Sequence, residues 1–143
     1  MAAGYLRDRL VREAGATNPI GVESAGLLGI NGAPATAHAC QVLEEHGIDL
    51  STHRSRGLRR DELESADLVL VMTAAQRDAV QALGGWPRKR IELLRAYESG
   101  TPPALDAPDL EDPIGSSLEA YRECFLVIRR CVDNFLRSLQ DRS

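Results

Sequence analysis

No stretch of this sequence approaches the roughly 20 consecutive apolar residues that a membrane-spanning helix requires. The opening residues, MAAGYLRDRL, are too charged and too short of apolar residues to act as a secretory signal. Cysteine is scarce: Cys40, Cys124 and Cys131 are an odd number at wide spacing. That argues against a disulfide scaffold or a zinc-type pairing and fits reduced thiols in the cytoplasm. His38 and His46 read as helix-surface residues with no ligand cluster beside them, so neither a metal nor a cofactor is expected. The formal net charge of -4 gives no reason to expect binding to nucleic acid or an anionic membrane. Internal repeats and low-complexity tracts are also missing.

What is present is ordinary for one globular domain spanning residues 1–143. The apolar fraction is 43%, the charged fraction 27%, and the length suffices for a buried core. Helix formers at 2–13 place Tyr5, Leu6, Leu10 and Val11 on one side, with Gly15 as the stop. Residues 19–25 (PIGVESA) read as a short strand closed by Gly26. A glycine-rich loop leads to a second helix over 35–46, with Ala39, Val42 and Leu43 inward and Gly47 ending it. After a polar connection and a short charged helix at 58–65, Asp67–Met72 is a nearly continuous apolar run. Such a run fits a parallel strand buried on both faces. Thr73 caps the next helix, which ends near Leu83 before Gly84-Gly85. A last strand follows at 90–94, then a long proline-rich loop over 99–113 of the kind that often carries function. Ser116 and Glu119 match a capping box for the final helix. There Leu118, Tyr121, Phe125, Ile128, Val132, Phe135 and Leu139 recur at three- and four-residue spacing. Strands alternating with helices imply an α/β fold, a three-layer sandwich with a short parallel sheet flanked by helices.

Four segments in order carry a resemblance. They are Val22-Glu23-Ser24-Ala25-Gly26; His46-Gly47-Ile48-Asp49-Leu50-Ser51 with His53-Arg54-Ser55-Arg56; Ala66 to Thr73; and Glu111-Asp112-Pro113 before the last helix. In order and spacing the chain resembles the low-molecular-weight protein-tyrosine phosphatase family. In that family a phosphate loop reads Cys, five residues, Arg, Ser or Thr, then usually Pro-Met-Ala and a helix. This chain resembles the family from that Met onward. The resemblance therefore implies that the first strand and the phosphate loop are absent from it. A start codon assigned at an internal Met is the simplest expectation, with true truncation or a natural non-catalytic variant as alternatives. The absent strand is a central one in the family, between the strands at 19–25 and 67–72. Its loss leaves exposed sheet edges, so marginal stability, aggregation, repair by another strand or oligomerisation is expected.

The resemblance implies a two-step reaction on a phosphorylated protein substrate. A thiolate attacks phosphorus, held by an Arg and backbone N–H groups at a helix N-terminus. A carboxylic acid protonates the leaving atom, and water then hydrolyses the cysteinyl phosphate with the same carboxylate as base. Carried over by position, Asp112 is the general acid/base, while Ser24 and His53 support the phosphate loop. Taken alone, Asp112 is also a common turn residue, Ser24 a strand-end serine and His53 an exposed histidine. Cys40 reads as a small buried residue of the second helix. Cys124 and Cys131 lie two turns apart on the last helix, which cannot form a phosphate cradle, so none of the three is expected to be the nucleophile. Arg54 and Arg56 read as a solvated or ion-paired surface. Trp86 reads as a turn residue with a partly buried ring.

After Asp112-Pro113, an aromatic pair walls the phenol ring in the eukaryotic-like pattern. Ile114-Gly115 stand there in this chain, more like the bacterial branch that includes protein-arginine phosphatases. The expected function is phosphotyrosine or phosphoarginine hydrolysis, with this chain inactive for want of the Cys/Arg loop. A non-catalytic binding module is the alternative. An arsenate reductase is disfavoured, because no cysteine lies between Cys40 and Cys124.

Overall fold

The computed structural model describes residues 1–14, 18–83, 90–100 and 106–141, and their contacts divide into two units. The first comprises Met1–Gly57 and Pro113–Arg129, and the second Leu58–Asp112 and Arg130–Ser143. The expected stops at Gly15 and Gly84-Gly85, and Trp86, lie outside the described residues.

In the first unit, helix α1 spans Ala2–Ala14 and buries Tyr5 and Leu10. Val11, expected on the same side, is 62% exposed. Helix α2 (Ala37–Glu45) starts at Thr36, whose side chain accepts from the Ala39 N–H, and it buries Ala39, Val42 and Leu43. It stops where expected. Gly47 takes φ +77°, and the Gly47 and Ile48 amides donate to the Glu44 and Leu43 carbonyls at 2.9 Å. Helix α5 covers Leu118–Asp141, and within this unit it contributes buried Tyr121, Phe125 and Ile128. The Phe125 ring meets Tyr5 edge-on at 5.5 Å and His46 at 4.5 Å. Arg122 grips the Glu45 carboxylate with Nε at 3.1 Å and Nη2 at 2.7 Å.

Two local expectations need correction here. The cap of α5 is Ser117, whose Oγ accepts from the Ala120 N–H at 3.2 Å. Ser116 instead donates its N–H to Pro113 O at 2.8 Å, closing a tight turn, and Glu119 pairs with Arg122. Residues 19–25 form no ladder strand among the described residues. Their backbone finds other partners: Val22 O accepts Arg7 Nε at 3.0 Å and Nη2 at 2.7 Å, and only Gly26 makes a parallel bridge, to Gly57. The two-residue period survives, with Val22 and Ser24 half-buried between exposed neighbours.

The glycine-rich loop is stapled to residues 54–57. Gly26 N donates to Arg56 O (2.8 Å), Gly32 N to Ser55 O (2.7 Å) and Gly57 N to Asn31 Oδ1 (2.9 Å). Gly57 is needed for this approach, since a Cβ there would lie 2.8 Å from the Gly29 backbone.

In the second unit, helix α3 (Arg60–Ser65) buries Leu63. Strand β1 (Leu68–Val71) runs parallel to β2 (Arg90–Leu93), with Leu68 opposite Arg90 and Val71 opposite Leu93. Only Val71 of β1 is fully buried, less than its apolar run suggests, because β2 alone pairs with it among the described residues. Helix α4 (Ala74–Ala82) connects the two strands, capped by Thr73 as expected. A 3-10 turn at Leu94–Tyr97, unforeseen in the sequence, buries Leu94, Ala96 and Tyr97. Tyr97 meets Phe135 edge-on at 5.3 Å, and Asn134 Nδ2 donates to Tyr97 O at 2.7 Å. The C-terminal turns of α5 add buried Cys131, Val132 and Leu136.

Candidate active site

Ser24 and His53 come together. Both line a cleft of about 550 Å3 in the first unit, with Gly4 and Arg7 from α1 and with Arg54 and Arg56. Hydrogen bonds already engage the arginines. Arg7 holds Val22 O, Arg54 Nη1 donates to Ser51 O (3.1 Å) and His53 O (2.7 Å), and Arg56 pairs with Glu23 at 3.1 Å. The expected ion-paired surface is thus found at Arg56, while Arg54 braces its own loop. Asp8 and Asp49 also face the cleft, and the Asp49 carboxyl lies below the usual carboxylate range because it accepts hydrogen bonds from Ser51.

The His53 imidazole is pushed below its ordinary pKa of 6.5, first by burial and then by the positive charges of the amino terminus, Arg7 and Arg54. The consequence for stability follows from linkage. Above the unfolded pKa, His53 is neutral in both states and carries no penalty. As pH falls below it, the unfolded chain takes up a proton that the folded chain resists, and stability declines until the lowered folded pKa is passed. His53→Asn is therefore expected to reduce the loss of urea midpoint between about pH 7 and pH 5. Equal losses in the two proteins would show that His53 does not feel this environment.

Asp112 belongs to the second unit, where its residue is exposed. The chain just before it is firmly held. Leu110 is buried and donates its N–H to Met72 O at 2.8 Å, Asp109 Oδ1 accepts the Ala74 N–H at 2.9 Å, and Arg95 Nη1 donates to Asp109 O at 3.0 Å. No local sequence pattern signals these roles for Asp109 and Arg95. Beyond Asp112, the Pro113–Ser116 turn places Gly115 at φ +79°. A turn of this form demands a positive φ at its third residue, which accounts for glycine there.

All three cysteines are helical. Cys40 lies in α2 with Sγ 3.9 Å from Ala35 O. The Cys131 thiol is buried and pushed up to about 11, first by burial and then by the Glu98 charge, so it stays protonated. Cys124 does have an arginine, Arg130, at the six-residue separation of the family loop. Both lie inside α5, where the amides serve the helix ladder and cannot encircle an anion. Among the described residues, no group of three His, Cys, Asp or Glu side chains is placed to hold a metal, and no helix is long and apolar enough to cross a membrane.

A parallel β-α-β unit, a held acidic loop and a long C-terminal helix define an α/β protein. The family model for low molecular weight phosphotyrosine protein phosphatase matches residues 1–143, and the chain belongs to that family. A probable low molecular weight protein-tyrosine-phosphatase, EpsP of Ralstonia solanacearum, is 34% identical over 114 residues, covering 80% of this chain and 73% of that protein. A protein-arginine-phosphatase of Geobacillus stearothermophilus is 31% identical over 119 residues, covering 83% and 76%. Among solved structures, the YwlE arginine phosphatase of G. stearothermophilus superposes with a TM-score of 0.83 at 28% identity, over 99% of this chain and 84% of that one. A low molecular weight protein tyrosine phosphatase from T. tengcongensis gives 0.82 at 28%, over 96% and 88%.

Proposed function

We propose that the chain serves the removal of a phosphoryl group from a phosphorylated protein side chain, phosphotyrosine or phosphoarginine, with Asp112 as the proton carrier. The observation that supports this most is the setting of Asp112, an exposed carboxyl two residues beyond an anchored Leu110, at the family's Asp-Pro position. In the first step a thiolate forms a bond to phosphorus while the bond to the leaving oxygen or nitrogen breaks. Asp112 gives that atom its proton. In the second, water attacks phosphorus, Asp112 takes the proton of the water, and phosphate leaves with the thiolate restored. Ser24 and His53, on one cleft, are the supports for the loop that bears the thiolate.

None of the three helical cysteines fits the thiolate's part. The 143 residues by themselves are therefore expected to release no p-nitrophenol from p-nitrophenyl phosphate above the buffer rate. Joining a family strand and Cys-x5-Arg loop ahead of Met1 is expected to create turnover. The joined chain then decides the substrate by phosphate release from a phosphotyrosine peptide against free phosphoarginine. Turnover by the unjoined chain, or none by a folded joined chain, would overturn the proposal.

A further inference from the structure

The segment that ends in Asp112 is fastened at Asp109 and Leu110. Helix α4 begins with N–H groups that its own ladder cannot satisfy. Thr73 Oγ1 takes the Gln76 N–H at 3.1 Å, whereas the Ala74 N–H goes to Asp109 Oδ1, a carboxylate 35 residues away in sequence. A negative group is favoured at that helix end. The Asp109 carbonyl in turn receives Arg95 Nη1. Arg95 is itself fixed, since its Nε donates to Glu98 Oε2 at 2.7 Å, and Glu98 also faces Arg130 Nη2 at 3.6 Å. The side chain of Asp109 is thus tied to α4 and its backbone to the turn after β2, while the next residue, Leu110, is tied to Met72 at the end of β1.

We infer that Asp109 and Arg95 are positioning residues, forming a clamp that holds the chain three residues ahead of Asp112 so that an exposed carboxyl is presented at a fixed place. This rests on Asp112 being the acid/base. A general acid works only within hydrogen-bond reach of the atom it protonates, so an acid on an exposed loop needs its backbone fixed from behind. The clamp does this without burying the carboxyl.

The test uses the 143-residue chain labelled with nitrogen-15. In Asp109→Ala, the Ala74 amide is expected to exchange about five- to tenfold faster, and the backbone heteronuclear NOE of Asp112 to fall toward that of unrestrained chain. Asp109→Asn keeps an oxygen in place and is expected to restore both. An Asp112 NOE unchanged in Asp109→Ala, with only Ala74 exchange accelerated, would reduce Asp109 to a helix cap and overturn the inference. Should Asp109→Ala fail to fold, Arg95→Gln puts the same question, and an ordered Asp112 in that folded variant counts against the clamp. Neither readout depends on turnover. The acid role is judged separately in the joined chain, so either idea can fail while the other stands.

Discussion

Asp112→Asn in the joined chain is expected to lower turnover by about 10²- to 10⁴-fold, the usual worth of a positioned general acid or base. The loss should be greater for a phosphotyrosine peptide than for p-nitrophenyl phosphate. A tyrosine phenolate leaves as a strong base and needs a proton in the transition state, whereas p-nitrophenolate is a far better leaving group. Asparagine matches aspartate in shape, and hydrogen bonds from Asp109, Leu110 and Arg95 remain to hold the segment. The exposed position predicts a stability change within about 0.5 kcal/mol, so lost activity cannot be blamed on unfolding. Steady-state rates on both substrates, with a urea melt as control, make the measurement. A loss under about fivefold on the phosphotyrosine peptide would remove Asp112 from the chemistry.

Phe125→Ala is expected to have the largest effect on stability. The ring is fully buried, set edge-on against Tyr5 and tilted against His46. Deleting a buried phenyl ring in a close-packed core costs about 3–5 kcal/mol, against a typical total of about 5–15 kcal/mol. With a urea slope near 2 kcal/mol per molar, the midpoint should fall by roughly 2 M. Leu126, the next residue on α5, is 53% exposed, and Leu126→Ala should change stability by no more than about 0.5 kcal/mol. Similar midpoints for the two variants would mean that this aromatic cluster is not the hub of its unit.

The elements that sequence reveals best here are those whose signals are local. Helix α2 shows its inward face and its glycine stop within a dozen residues, and both are found, while its Thr36 cap emerges only from the structure. The apolar run of β1, the Thr73 cap and the stripe of α5 are equally self-contained. What escapes is whatever depends on a distant partner. Residues 19–25 have a strand's alternation, but a strand needs a ladder, and Val22 O goes to Arg7 instead. Ser116 and Ser117 both suit a helix cap. Ser117 takes the role through its Oγ, while Ser116 lies in the turn that its amide closes on Pro113 O. Ser24, His53 and Asp112 are singled out by the ordered motifs alone, and of these Ser24 and His53 line one cleft. Asp109 is not singled out, since nothing near it in the chain hints at a helix end 35 residues earlier.

Helix α5 contributes Pro113-side turns to one unit and its last turns to the other, so both units are discontinuous in sequence. During synthesis, residues 1–57 must wait for the partners of Tyr5 and His46 until Phe125 emerges, and Tyr97 must wait for Phe135. Neither unit can bury its core on a ribosome-bound chain before its share of α5 clears the exit tunnel. A stop codon ahead of Phe125 would therefore strip core side chains from both units, Phe125 and Ile128 from the first and Val132 and Phe135 from the second.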